Sequence, residues 1–229
     1  MGTGGGEGLA LLVTPRSRKL LVQTMSTNSP TMDALARTEV FVRQTFAANP
    51  HHSFGDGTVM FEHSVRVKEL ALRLAQEVGA DPLLVGLGGL LHDIGKAYPA
   101  DEETLHQKHE ELGVLVAAPL LGSLELPAPT LLQLRSLIAH TSASLEMQVM
   151  EDADALAFFL DKRLYMLFLA WATNTNHHAA IEKKTHKFEK LHFPLSRQLG
   201  SAAFGQMWTD WKTYLTEHHL EAFLPLVQG

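Results

Sequence analysis

Leu90-Leu91-His92-Asp93-Ile94-Gly95-Lys96 sets an imidazole and a carboxylate inside an apolar run. Leu84, Leu87 and Leu91 precede the pair at the spacing of an inward helix face, and Gly95 stands just beyond it, where a helix stops. A buried polar side chain needs a partner. Working outward, single His or Asp residues interrupt other apolar stretches: His63 upstream, then His109, His140 and Asp154 downstream. His63 shares a stripe with Val67, Leu70 and Leu74, and His109 shares one with Leu105, Leu112 and Val116. His140 follows Leu137 by three at a helix end. Imidazole and carboxylate are ligands for divalent metals, and helices that aim them at one interior build a metal centre. The pattern predicts a metal site inside a helical bundle, and with it metal-assisted hydrolysis.

Each residue alone has a plainer reading. A lone His on an apolar stripe is more often a core histidine bonded to backbone, and a lone Asp near a helix end is more often a cap. The six together, with the His-Asp pair ahead of Gly-Lys, outweigh that reading. His51, His52, His177, His178, His186, His192, His218 and His219 fall in loops or polar stretches and are read as surface residues. His106 is a reserve candidate. Asp152 shares a stripe with Val149, Leu156 and Phe159, and Asp154 with Met147, Met150 and Ala157. Periodicity therefore leaves both open as the last ligand.

The bulk numbers narrow the class. A chain of 229 residues suffices for one sizeable domain with a helical extension. A formal charge of -6 argues against an extended nucleic-acid-binding face. There is no cysteine, which removes disulfides, iron–sulfur clusters, thiolate zinc sites and a cysteine nucleophile, and fits a cytoplasmic location. No apolar run approaches a membrane span. Residues 1 to 30 read as a flexible tail or an over-extended start, with Met25 or Met32 as alternative beginnings.

From Met32 onward the pattern is helical, so the expected fold is all-α. Helices are predicted over residues 31 to 47, 59 to 78, 82 to 93, 101 to 117, 130 to 139 and 145 to 171. Two further amphipathic helices are expected around Pro194. This gives a tail (1–30), a bundle core (31–175) and a C-terminal helical extension packing on it (176–229). Trp171, Trp208, Trp211 and the stripe Leu164, Leu167, Phe168 are assigned to the core or to a homodimer face.

These residues resemble the HD-domain superfamily of metal-dependent phosphohydrolases. The resemblance rests on Glu62-His63-Ser64-Val65-Arg66-Val67, on His92-Asp93-Ile94-Gly95-Lys96 and on Ala153-Asp154-Ala155-Leu156, and it covers about residues 59 to 160. The match of Ala-Asp-x-Leu favours Asp154 over Asp152. Lys108-His109-Glu110-Glu111-Leu112-Gly113 and Ile138-Ala139-His140 resemble the additional histidines of the two-metal branch. The Gly-Tyr-Pro signature of one such group is replaced here by Thr141-Ser142-Ala143, which argues against specificity for cyclic dinucleotides.

The resemblance implies an HD-domain helical bundle and a hydrolase of phosphate esters or anhydrides, acting on a nucleotide or another small phosphorylated molecule. It implies one or two divalent transition-metal ions, with Asp93 bridging, His63, His92 and Asp154 on one ion, and His109 and His140 on the other. Oxygen and nitrogen ligands without thiolate favour iron or manganese, with cobalt, nickel, zinc or magnesium as alternatives. Lys96, just past the helix end, is placed to contact a phosphate oxygen, and Arg66, one turn from His63, to make a bidentate one. Two other classes use the same ligands or fold: a diiron HD-fold oxygenase, and a regulatory HD module that binds without turnover.

Overall fold

The computed structural model describes residues 30–49 and 57–227. Of the tail expected over residues 1–30 and the loop expected over 51–57, only Pro30 and Gly57 are described, and each opens a helix instead; the surface reading of His51 and His52 lies outside the described residues. The elements are α1 (Pro30–Ala48), α2 (Gly57–Val78), α3 (Pro82–Leu91), a 3-10 turn (Ile94–Ala97), α4 (Glu102–Ser123), α5 (Ala128–Ile138), α6 (Leu145–Phe159), α7 (Lys162–Asn174), α8 (His178–Thr185), α9 (Pro194–Glu217) and a final 3-10 helix (Glu221–Val227). No strand occurs among the described residues, so the fold is all-α as the sequence predicts.

The stops and starts follow local chemistry. Gly79 closes α2 with φ of 78°, a conformation that costs glycine nothing. Asp81 caps α3 by accepting from the Leu83 and Leu84 amides at 2.8 and 3.3 Å, with Pro82 in the first turn. Asp101 caps α4 from the Thr104 amide at 2.9 Å.

Three boundaries differ from the sequence expectation. Helix α4 continues through Pro119 to Ser123 instead of stopping near Ala117. Ala117, Leu120 and Leu121 are all buried, and that packing offsets the hydrogen bond proline removes. The single helix expected over residues 145 to 171 is broken at Leu160-Asp161, because Asp161 accepts from the Leu164 amide at 3.1 Å and starts α7 afresh. The C-terminal region holds α8, α9 and a 3-10 helix, with Pro194 opening α9.

Helix α6 is the axis of the molecule. Its Met147 and Met150 enter an apolar cluster with Phe46, Met60, Leu87 and Leu90. Its Val149, Ala153 and Leu156 pack with Val67, Leu74 and Val85 of α2 and α3. Its Phe158 and Phe159 join Leu164, Phe168, Met207 and Trp211 from α7 and α9. A helix that meets three apolar clusters shows no single apolar stripe, which is why spacing cannot separate Asp152 from Asp154. Trp211 is fully buried and stacks on Phe168 at 6.0 Å, within the core.

Two close approaches bring the site together. Helix α3 crosses α2 at Gly89, where a Cβ would lie 3.0 Å from the Lys68 backbone. The 3-10 turn lies directly on α4 at Gly95, where a Cβ would overlap the His109 carbonyl and sit 2.5 Å from the Gly113 nitrogen.

Candidate metal centre

Helix α3 ends at Leu91, and His92 closes it with its amide on the Gly88 carbonyl. Asp93 then leaves the helical conformation and turns its carboxylate inward, where it is almost fully buried. The Nδ1 of His92 bonds to the Gly89 carbonyl at 2.9 Å, so Nδ1 carries the proton and Nε2 offers its lone pair. That Nε2 lies 3.4 Å from Asp93 Oδ2 and 3.8 Å from Asp154 Oδ1. From α2, His63 Nε2 lies 3.1 Å from Asp154 Oδ1 and 4.0 Å from Asp93 Oδ2. Ligand atoms of His63, His92 and Asp154 all fall within 4.8 Å of one another.

The other oxygen of Asp93 faces elsewhere. His109 bonds through Nδ1 to the Leu105 carbonyl at 3.0 Å, and its Nε2 lies 3.6 Å from Asp93 Oδ1. The two oxygens of one carboxylate thus face two different sets of histidines. His140 lies just past α5 with φ of 51°, a left-handed backbone seldom adopted by residues with a Cβ. It lines the same cavity, but its Nδ1 is 3.9 Å from Glu110 Oε1, and no aspartate of the described residues is within 4 Å of it.

The charges are set by these contacts. Burial works to raise the Asp93 carboxyl, but Lys96, His92 and His109 hold it well below the usual carboxylate range. Burial opposes ionisation of Asp154 too, and Lys187 and His63 overcome it, so it also stays well below. Burial pushes His63 down, then His109 down with help from Lys96, and His140 down with help from His92. His92 is raised: burial lowers it, but the neighbouring Asp93 outweighs that.

Do these residues fit a metal? His92 Nε2 is buried with no hydrogen-bond partner, beside two carboxylates held ionised. An unpartnered imidazole nitrogen facing two anions is the arrangement a cation satisfies. The donors are nitrogen and oxygen only, the set that suits borderline divalent ions. His63, His92 and Asp154 fit one ion, and Asp93 lies between them and His109.

The remaining candidates divide. Lys96 lines the cavity, and its Nζ donates to Asp93 Oδ2 at 2.6 Å. Arg66 does not reach it: the guanidinium is paired with Asp161 at the start of α7 and is absent from the cavity lining. Asp152 is fully buried away from the cluster and accepts from the His192 and Phe193 amides at 2.8 and 3.0 Å. His106 lines the cavity edge, with ring centroids 6.2 Å from Trp171 and 4.9 Å from His177, a residue read from sequence as surface.

Asp152→Ala should therefore lower stability by about 2–4 kcal/mol, since two part-buried amides lose their acceptor at ~1–2 kcal/mol each, the lower part of the usual range, and should leave metal content intact. Asp154→Ala should do the reverse. Elemental analysis beside thermal melts of the two variants checks this; metal loss confined to Asp152→Ala would reverse the assignment.

Sequence reasoning missed the far wall of the cavity. The cavity has a volume of about 500 Å³, and Lys183, Lys184 and Lys187 line it together with Phe158, Phe168 and Trp171. Lys187 is ion-paired with Asp154. Glu182 to Lys190 reads as a solvated run, yet Ala180, Ile181, Lys184 and Lys187 have the spacing of one helix face. That stripe was the available signal.

Residues 60–165 match the family model described as HD domain. Curated relatives match over short segments. Ribonuclease Y of Opitutus terrae is 51% identical over 47 residues, which is 20% of this chain and 9% of that protein. Ribonuclease Y 2 of Pediococcus pentosaceus is 41% identical over 69 residues, 30% of this chain and 13% of that one. The chain thus spans only a small part of those relatives' length. Among solved structures, an HD-superfamily hydrolase from Bacillus thuringiensis superposes with a TM-score of 0.60 at 16% identity, covering 82% of this chain and 98% of the other. The matched segment, residues 60–165, holds every residue of the cluster and is similar to the HD domain, and the fold is shared with that HD-superfamily neighbour.

Proposed function

We propose that this protein is a metal-dependent phosphohydrolase that cleaves an ester or anhydride bond of a small phosphorylated molecule, nucleotides included. The observation that carries the reading is Asp93: one oxygen faces His63 and His92, the other faces His109, and Lys96 sits on the cavity side. Relatives named Ribonuclease Y and a neighbour titled a hydrolase support hydrolysis. A divalent ion held by His63, His92 and Asp154 would supply a water of lowered pKa and positive charge against the charge that builds on the phosphoryl oxygens. The chain's own residues do the rest. His92 is fixed in one tautomer by the Gly89 carbonyl, so its free nitrogen points at the site. Asp93 and Asp154 stay ionised through their lysine partners. Lys96 holds a phosphate oxygen once substrate enters, as a point charge at the metal side of the cavity.

The test is a panel of phosphate monoesters, diesters and nucleotides run with manganese, iron, cobalt and zinc, reading phosphate release. Oxygen uptake by the iron-loaded protein without phosphate release from any substrate would replace this reading by the oxygenase. Lys96→Ala should keep metal content and fold while turnover falls roughly 10²-fold, the loss of one preorganised charge at about 2–4 kcal/mol. Wild-type turnover in that variant would make Lys96 a bystander.

A further inference from the structure

Helix α8 lies outside the segment matched to the HD domain, and Ala180 and Ile181 anchor its inner face in the apolar cluster of α7 and α9. One turn on, Lys184 lays its ammonium 4.2 Å from the centroid of the Phe158 ring and 5.5 Å from that of Phe168. A lysine on a surface helix usually extends its charge into water. This one points into the cavity that holds the His–Asp cluster.

Asp154 and Asp93 act on its charge only from beyond pairing distance. Lys96 has Asp93 and Lys187 has Asp154, whereas no carboxylate of the described residues lies within 4 Å of Lys184. Burial, then the neighbouring Lys187, drive the Lys184 amine well below the usual lysine range. A buried amine beside a second cation, with only ring faces to offset it, carries its own charge at a cost that an entering anion relieves. A metal that engages Asp154 leaves less of its charge for Lys187 and increases the need. The cavity has room: about 500 Å³ is within the range of sites for organic ligands, and a lone phosphate would leave most of it unfilled.

We propose that Lys184, with Lys187 beside it, is a subsite for a second phosphate group, so that the ligand of this cavity is an organic diphosphate. One phosphoryl group lies at the His–Asp cluster and the next at Lys184, with the organic part against Phe168 and Trp171. The inference rests on the phosphohydrolase reading for the position of the first phosphate.

The test is calorimetric titration of the full chain with imidodiphosphate and with inorganic phosphate, with manganese in excess over protein and ligand. The wild type should bind imidodiphosphate at least about tenfold more tightly than phosphate, a gap of ~1.4 kcal/mol. Lys184→Met keeps an unbranched apolar stem beside the Phe158 ring and removes the ammonium; it should erase that gap and leave phosphate affinity within about twofold. Equal wild-type affinity for the two anions overturns the proposal without any variant. So does a Lys184→Met protein that keeps the preference. Binding needs no turnover, so the two readings fail separately. A protein that prefers imidodiphosphate through Lys184 but hydrolyses nothing keeps the subsite and loses the hydrolase. One that hydrolyses monophosphates without the preference keeps the hydrolase and loses the subsite.

Discussion

Asp93→Ala is expected to remove bound metal and turnover together while the helical content stays native. Asp93 is the residue whose two oxygens face different histidine sets, and its side chain also receives the Lys96 ammonium. Without it, His63 and His92 keep Asp154, but His109 loses its nearest carboxylate. A rate loss larger than roughly 10³-fold is expected, beyond that of a single electrostatic donor. Asp93→Asn separates charge from shape: it preserves volume and one carbonyl oxygen, and it should still lose most metal, because a neutral amide is a weak ligand. Circular dichroism, elemental analysis and turnover on the same samples check this. Full metal content in Asp93→Ala would mean that the ion sits on His63, His92 and Asp154 alone.

Gly95→Ala should be the most destabilising glycine-to-alanine change among the described residues. The added carbon would overlap the His109 carbonyl and press on the Gly113 nitrogen, and both are backbone. Backbone cannot rotate out of the way as a side chain can. The 3-10 turn must lift from α4, at about 3 kcal/mol or more. In a domain of this size each kcal/mol shifts the melting point by roughly 2–4 °C, so a fall of about 6–12 °C is expected. The lift also parts His109 from Asp93, so any ion shared by them should go first. Gly122→Ala and Gly205→Ala are the controls. Both lie in helices with nothing within 4 Å of the new carbon, and each should be neutral or stabilising by up to ~1 kcal/mol. A Gly95→Ala melt equal to theirs would show that the turn can move freely.

How much of this was readable beforehand depends on where each partner lies in the chain. The helix stop at His92-Asp93 and the inward faces of His63 and His109 are local features, and apolar spacing with capping residues reveals them. Asp154 is different. It lies on a helix packed against three apolar clusters, so only the flanking motif favoured it over Asp152. Asp152 is occupied by the His192 and Phe193 amides, forty residues on, and no local pattern announces a carboxylate held by distant backbone. Arg66 looked free because its partner Asp161 lies 95 positions away, at a helix break the apolar run concealed. The α8 lysines were hidden by composition: a run of charge reads as surface until the fold folds it back over the cavity.

The Asp152 contact also fixes an order of events during synthesis. The histidines and aspartates of the cluster are all made by residue 154, yet the amides that hold Asp152 and the lysine that neutralises Asp154 arrive only at residues 187 to 193. At about 5–20 residues per second the nascent chain carries both acids on its central helix, without those partners, for some seconds. These contacts, and the placement of the two acids that they give, come only once that late segment has been made.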